Sequence, residues 1–136
     1  MTLERINGLY DDFKNALARL QEALNEDLSK GNIIIDGTIQ RFEFTFELSW
    51  KLVKSVLSYN GIEAESPRMI IKEGFKIGIL KNGEGWINML EDRNKTSHIY
   101  DEKQSFSIYK EIKDVHFKLL KNLDNSIAKF IDKIEF

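Results

Sequence analysis

The chemistry open to this chain concentrates in one polar stretch, Glu91-Asp92-Arg93-Asn94-Lys95-Thr96-Ser97-His98-Ile99-Tyr100-Asp101-Glu102. Arg93 lies seven residues after Trp86, so the helix period turns it toward the packed face. A guanidinium cannot lose its proton there and needs an anionic partner or ligand. His98 is five residues past Arg93, about 140° round an ideal helix. The two converge only if the helix ends near Thr96, or if two copies of the segment meet across a dimer axis. Together they suit phosphodiester chemistry: histidine moves a proton near neutral pH, and arginine stabilises charge on a phosphorane-like transition state. RNA carries its own 2′-OH nucleophile, so this chemistry requires no metal. The plainer alternative pairs Arg93 with Glu43 or Glu47 and leaves His98 as a helix cap. Spacing alone favours that alternative.

Other candidates have plainer explanations still. His116 falls within an apolar seam and reads as a core or interface histidine. With two histidines in the chain, no histidine-based metal site is expected within one subunit. Glu43 and Glu47, four apart on one helix face, could act as acid and base or as metal ligands, but a ladder with Lys51 and Lys54 is the commoner arrangement. No serine has a nucleophile-elbow context, and no glycine loop would cradle phosphate. Trp50, Trp86 and the phenylalanines fall on helix periods and read as core. The absence of cysteine removes disulfides, thiolate-bound zinc, iron–sulfur clusters and thiol nucleophiles.

The elements that must position these residues are helices. Leu3, Ile6, Leu9, Phe13, Leu17, Leu20, Leu24 and Leu28 recur at steps of three and four, which predicts a helix to Lys30 ended by Gly31. Ile33-Ile34-Ile35 is the one β-like run; with no partner strand it is expected to be a buried connector, with Asp36 or Thr38 capping the next helix. That second helix, about 38–59, carries one apolar arc of Ile39, Phe42, Phe46, Trp50, Val53 and Leu57. A second arc holds Phe44, Leu48, Leu52 and Val56, and a polar stripe of Gln40, Glu43, Glu47, Lys51 and Lys54 separates them. Two apolar faces suit a central bundle helix, or one that also serves a subunit interface. Ser66-Pro67 starts a short helix to about Lys76. A fourth begins near Trp86 and should weaken around Thr96-Ser97-His98. The last covers about 104–134, with a seam of Tyr109, Ile112, His116, Leu119, Leu123, Ile127, Phe130 and Ile134. The expectation is one all-α domain over residues 1–136: an antiparallel up-and-down bundle of four main helices and one short one.

Composition narrows the function classes. In 136 residues, 20 Lys and Arg face 22 Asp and Glu, for a net charge of −2, so a broadly basic nucleic-acid coat is excluded and any RNA site must be local. Hydrophobic residues make up 42% and charged ones 31%, the balance of a globular chain. No apolar run approaches the ~20 residues of a membrane span. Met1-Thr2-Leu3-Glu4-Arg5 lacks the order of a signal peptide, and the expected location is cytoplasmic.

Two blocks go beyond spacing. Asp36-Gly37-Thr38-Ile39-Gln40-Arg41-Phe42-Glu43-Phe44-Thr45-Phe46-Glu47-Leu48-Ser49-Trp50-Lys51 resembles the second helix of the nucleotidyltransferase substrate-binding protein family. The stretch Trp86-Ile87-Asn88-Met89-Leu90-Glu91-Asp92-Arg93-Asn94, followed by Thr96-Ser97-His98-Ile99-Tyr100-Asp101-Glu102, resembles the same family. That family belongs to the HEPN superfamily of α-helical domains, and the resemblance spans nearly the whole chain. It implies a homodimer that binds a minimal nucleotidyltransferase (MNT) as its partner. Related HEPN proteins are toxins of toxin–antitoxin pairs, with a metal-independent ribonuclease site built on Arg-x4–6-His at the dimer cleft. In one branch the motif extends to Arg-x4-His-x-Tyr, and the MNT neutralises the toxin by adding AMP to the tyrosine.

By this resemblance Arg93 would stabilise the phosphate, His98 would take part in proton transfer, and Tyr100 would receive AMP. Asn94, Glu43 and Glu47 would be supporting polar groups. No cofactor and no metal are implied. The competing expectation is a non-catalytic helical subunit that docks on the nucleotidyltransferase and presents its substrate.

Overall fold

Residues 2–134 are described by a computed structural model. Helix α1 (Leu3–Leu24) opens at Thr2, whose hydroxyl accepts the Arg5 N–H at 3.2 Å. It buries the expected stripe of Ile6, Phe13, Leu17, Leu20 and Leu24. The helix stops at Asn25, short of the expected end at Lys30. The Asp27 carboxylate accepts the Ser29 N–H at 2.9 Å and starts a separate 3₁₀ turn, Leu28–Lys30. Gly31, at φ 109°, closes that turn and not α1; the left-handed backbone there suits a residue without Cβ.

The isoleucine run is not a connector. Helix α2 (Ile33–Tyr59) begins inside it, five residues before the expected start. Neither Asp36 nor Thr38 caps the helix: Asn32 occupies that position, and the Thr38 hydroxyl instead donates to the Ile34 carbonyl at 2.7 Å. The β preference of isoleucine is weak against tertiary burial, and the helical frame buries Ile35 and Ile39 together while leaving Ile33 in solvent.

Further along, α2 is buried on both sides. Phe42, Phe46, Val53 and Leu57 pack on one, Leu52 and Val56 on the other. Thr38, Thr45, Ser49 and Ser55 fill the tight places between them. Each hydroxyl is satisfied by a carbonyl three or four residues back, so none is left bare in the core. Only the early half of the second arc is uncovered: Phe44 is 61% exposed and Leu48 half-buried.

Helix α3 (Pro67–Lys76) starts as expected, with the Ser66 hydroxyl accepting the Met69 N–H at 3.2 Å and proline in the first turn. Helix α4 (Gly83–Lys95) comes after Asn82, which adopts φ 60° and accepts the Gly85 N–H. A Cβ on Gly85 would stand 2.9 Å from Leu119 Cδ1, so glycine is what lets α4 approach the last helix this closely. After Lys95 the backbone tightens to a 3₁₀ turn, Thr96–His98, where weakening was expected. Helix α5 (Glu102–Glu111), a π turn (Ile112–His116) and helix α6 (Phe117–Ile134) form one continuous rod. The predicted seam is buried from Tyr109 through Ile127; the π turn within it was not foreseen.

Cross-contacts give the directions. Thr45 and Arg41 of α2 meet the carbonyls of Ala16 and Arg19, so α1 and α2 are antiparallel. Phe46 lies beside Trp86, and Glu43 beside Arg93, so α4 runs against α2. Asp92 meets His116 and Gly85 meets Leu119, so the last rod runs against α4. The result is the all-α up-and-down arrangement expected, with α3 in the second connection. Among the described residues, no helix is long and apolar enough to cross a membrane.

Candidate functional site

The site grows from the end of α4. Its last turn brings Arg93 against the polar stripe of α2: Nη1 is 3.2 Å from Glu43 Oε2, and Nη2 is 3.7 Å from Glu47 Oε1. Both glutamates therefore serve Arg93. The Glu–Lys ladder does not form, since Lys54 turns to Glu65 at 3.2 Å and Lys51 lies over the Trp50 ring. Thr96 completes the cluster. Its hydroxyl accepts from Arg93 Nη1 at 3.2 Å and lies 2.7 Å from both Glu43 Oε2 and the Arg93 carbonyl. Arg93 Nε is buried with no partner, so the fork is held by its outer nitrogens. Nη2 carries a second N–H besides the one that faces Glu47.

His98 closes the 3₁₀ turn and is exposed. The helix does end at Thr96, the condition under which the Arg-x4-His spacing can bring the two groups to one side. Within one chain, however, no hydrogen bond joins Arg93 to His98 among the described residues. Asn94 is exposed and its carbonyl accepts from Ser97 at 3.2 Å; its side chain does not join the Arg93 cluster.

Tyr100 is 82% exposed, the fullest exposure of any large hydrophobic or aromatic side chain described. Its backbone N–H donates to the Gln104 side chain at 2.8 Å, and Asp101 caps α5. Tyr100 borders a groove of about 430 Å³ between the start of α2 and the 96–105 segment, walled by Ile35, Ile39, Ile99 and Thr96.

Two features were not anticipated from sequence. Thr96 lies inside the motif, but a threonine among polar neighbours gives no sign that it will bridge two helices. His116 is 1% exposed, as a core histidine should be, yet it reaches a carboxylate: Nε2 is 2.7 Å from Asp92 Oδ2, with the ring stacked on Phe42.

A family model described as nucleotidyltransferase substrate binding protein like matches residues 9–129, which include every residue of this site. The chain belongs to the nucleotidyltransferase substrate-binding protein family. Solved structures share its fold. A crystal structure from Thermus thermophilus superposes with a TM-score of 0.76 at 30% identity, covering 85% of this chain and 98% of that one. A Haemophilus influenzae structure, described as the fold of a substrate binding domain of a nucleotidyltransferase, gives 0.67 at 22% identity, covering 93% and 99%. A curated Haemophilus influenzae protein named probable ribonuclease HepT is 33% identical over 86 residues, 60% of this chain; the match spans 59% of that relative's length.

Proposed function

We propose that this member of the nucleotidyltransferase substrate-binding family is a dimeric, metal-independent endoribonuclease of the HEPN type, held in check by a minimal nucleotidyltransferase that adds AMP to Tyr100. The observation that carries the reading is the Arg93 cluster. Glu43, Glu47 and Thr96 fix a guanidinium at the end of α4, and the helix stops at once to release His98 on the next turn. A fixed guanidinium stabilises developing phosphorane charge better than a mobile one, because no reorganisation is needed during reaction. The named relative, a probable ribonuclease, supports the same reading.

In the reaction, the ribose 2′-OH attacks the adjacent phosphorus and loses its proton to a base. The 5′-oxygen leaves with a proton, and a 2′,3′-cyclic phosphate remains. One histidine from each subunit could supply base and acid. In the control step the Tyr100 hydroxyl gives up its proton to a base of the nucleotidyltransferase as its oxygen attacks the α-phosphorus of ATP, and pyrophosphate leaves. The added phosphate and nucleoside then crowd the cleft with bulk and negative charge. Tyr100 suits that role because its ring stands in solvent.

A second reading has its own observation. Arg93 already faces two carboxylates, so the cluster is not a net-positive anion site. That favours a non-catalytic subunit that docks on the nucleotidyltransferase and presents its substrate.

One experiment separates the readings. Purified wild-type protein should cleave RNA in the presence of chelator and leave cyclic phosphate ends, while Arg93→Ala and His98→Ala should not. Cleavage equal in all three proteins, or absent in all while the complex with the neighbouring nucleotidyltransferase persists, favours the docking subunit. Incubation with that enzyme and ATP should add one adenylyl group to the wild type and none to Tyr100→Phe.

A further inference from the structure

Behind the Arg93 cluster, Asp92 of α4, Glu111 at the end of α5 and His116 at the end of the π turn bring one donor atom each within 4.8 Å of one another. None of the three belongs to the proposed nuclease machinery. The π turn is what makes the group. Residues five apart on an α-helix diverge by about 140°, which would send Glu111 and His116 to different faces. Closing the backbone five residues apart stacks them on one side instead. Such turns interrupt regular helical bonding and are frequent at functional sites.

The arrangement has the shape of an ion site. The His116 ring is 1% exposed and held flat against Phe42, at 5.6 Å between centroids and 18° between planes. Its Nε2 points at Asp92 Oδ2, 2.7 Å away. Asp92 is partly covered, while Glu111 is exposed and free to swing inward. An imidazole at the back, two carboxylates in front and an open solvent side match the three-ligand pattern that leaves a fourth position for water. Ligand atoms lie about 2.0–2.2 Å from such an ion, so binding requires Glu111 to swing inward and the 2.7 Å hydrogen bond between His116 and Asp92 to open around the ion. Lys95 Nζ, 3.9 Å from Asp92 Oδ1, marks the same negative potential. Its side chain is 69% exposed and gives way readily.

We infer that Asp92, Glu111 and His116 form a binding site for a zinc-class divalent cation, which clamps α4 to the π turn one residue behind Arg93. The mixed imidazole and carboxylate donors favour first-row transition ions over magnesium. The ion takes no part in the RNA chemistry, and its binding stands or falls independently of cleavage.

The test uses the whole chain, stripped with chelator and titrated with Zn²⁺ by calorimetry and with Co²⁺ by visible absorption. One equivalent should bind per chain, Co²⁺ should show tetrahedral d–d bands, and Zn²⁺ should raise the thermal midpoint. Glu111→Gln lies on the surface and leaves the core intact. It should weaken binding by about tenfold or more, at least the cost of disturbing a ligand's support. His116→Gln should remove the Co²⁺ bands, and His98→Ala should keep both signals. Absence of saturable binding overturns the site. So does wild-type affinity in Glu111→Gln, or loss of binding in His98→Ala, which would move the ion to the other histidine.

Discussion

Arg93 is defined by what restrains it. Three groups on two helices hold its outer nitrogens, and Thr96 is the smallest of them. The threonine hydroxyl has one proton and two acceptors at 2.7 Å, while it also accepts from Nη1. Thr96→Val keeps the shape and removes all three bonds. The cost to folding should be about 1 kcal/mol, since the residue is only half-buried. If the proposed nuclease reading holds, the cost to RNA cleavage should be larger, about 10- to 100-fold in kcat, because a loosened guanidinium would no longer meet the transition state in register. Single-turnover cleavage alongside a urea melt checks both. A loss of stability with unchanged cleavage would mean that Thr96 is only a helix link. From sequence, the partners Glu43 and Glu47 were legible because their four-residue spacing put both on one stripe. Thr96 was not, because its role depends on the 3₁₀ turn that folds it back under Arg93.

At the scale of elements, periodicity carried most of the fold. The steps of three and four in α1, α2, α4 and the last rod located every long helix, and Ser66-Pro67 located α3. Two departures have physical causes. Isoleucine propensity pointed away from helix at 33–35, and burial of Ile35 and Ile39 overrode it. The π turn at 112–116 leaves no mark in a seam of threes and fours, since one extra residue in a turn shifts the period by less than the seam is wide. The ends of the bundle are tied by polar links that periodicity cannot foresee, and Tyr10 is the clearest. Its hydroxyl donates to Asp124 Oδ1 at 2.5 Å, joining α1 to α6. Burial raises its pKa well above the ordinary value near 10, and the hydrogen bond and charge of Asp124 push the same way. The folded state thus holds the phenolic proton more tightly than the unfolded chain. The stability this gives is complete below the ordinary tyrosine pKa and drains away as pH rises above it toward the folded value. Tyr10→Phe should lose about 1 kcal/mol at neutral pH and show a shallower decline of stability in alkali. Denaturant melts from neutral pH into the alkaline range check it; parallel wild-type and variant curves would remove the Tyr10 link.

The molecule leaves several large apolar side chains exposed, Phe44 of α2 among them. Phe44 is 61% exposed and, with Leu48, borders a groove between α1 and α2 that also includes Ala16, Arg19 and Arg41. On a helix of 3.6 residues per turn, Glu47 lies only about 60° round from Phe44. An interface laid over Phe44 and Leu48 would therefore lie close to the Glu47 side of the Arg93 cluster. On the proposed reading two Arg93 guanidiniums would meet in one cleft of a chain with a net charge of −2, each still facing Glu43 and Glu47. On that reading Arg93 and His98 would meet across two copies and not within one chain. Phe44→Asp places a charge at the centre of that contact while disturbing little of the monomer. Wild type should sediment as a dimer and the variant as a monomer, with superimposable urea melts once dissociation is allowed for. Cleavage should fall with the dimer fraction and recover on mixing only if the variant can still pair. A variant that stays dimeric would move the interface off this face. A monomeric variant with full activity would mean that one chain carries the whole site, and that His98 must swing to Arg93 within it.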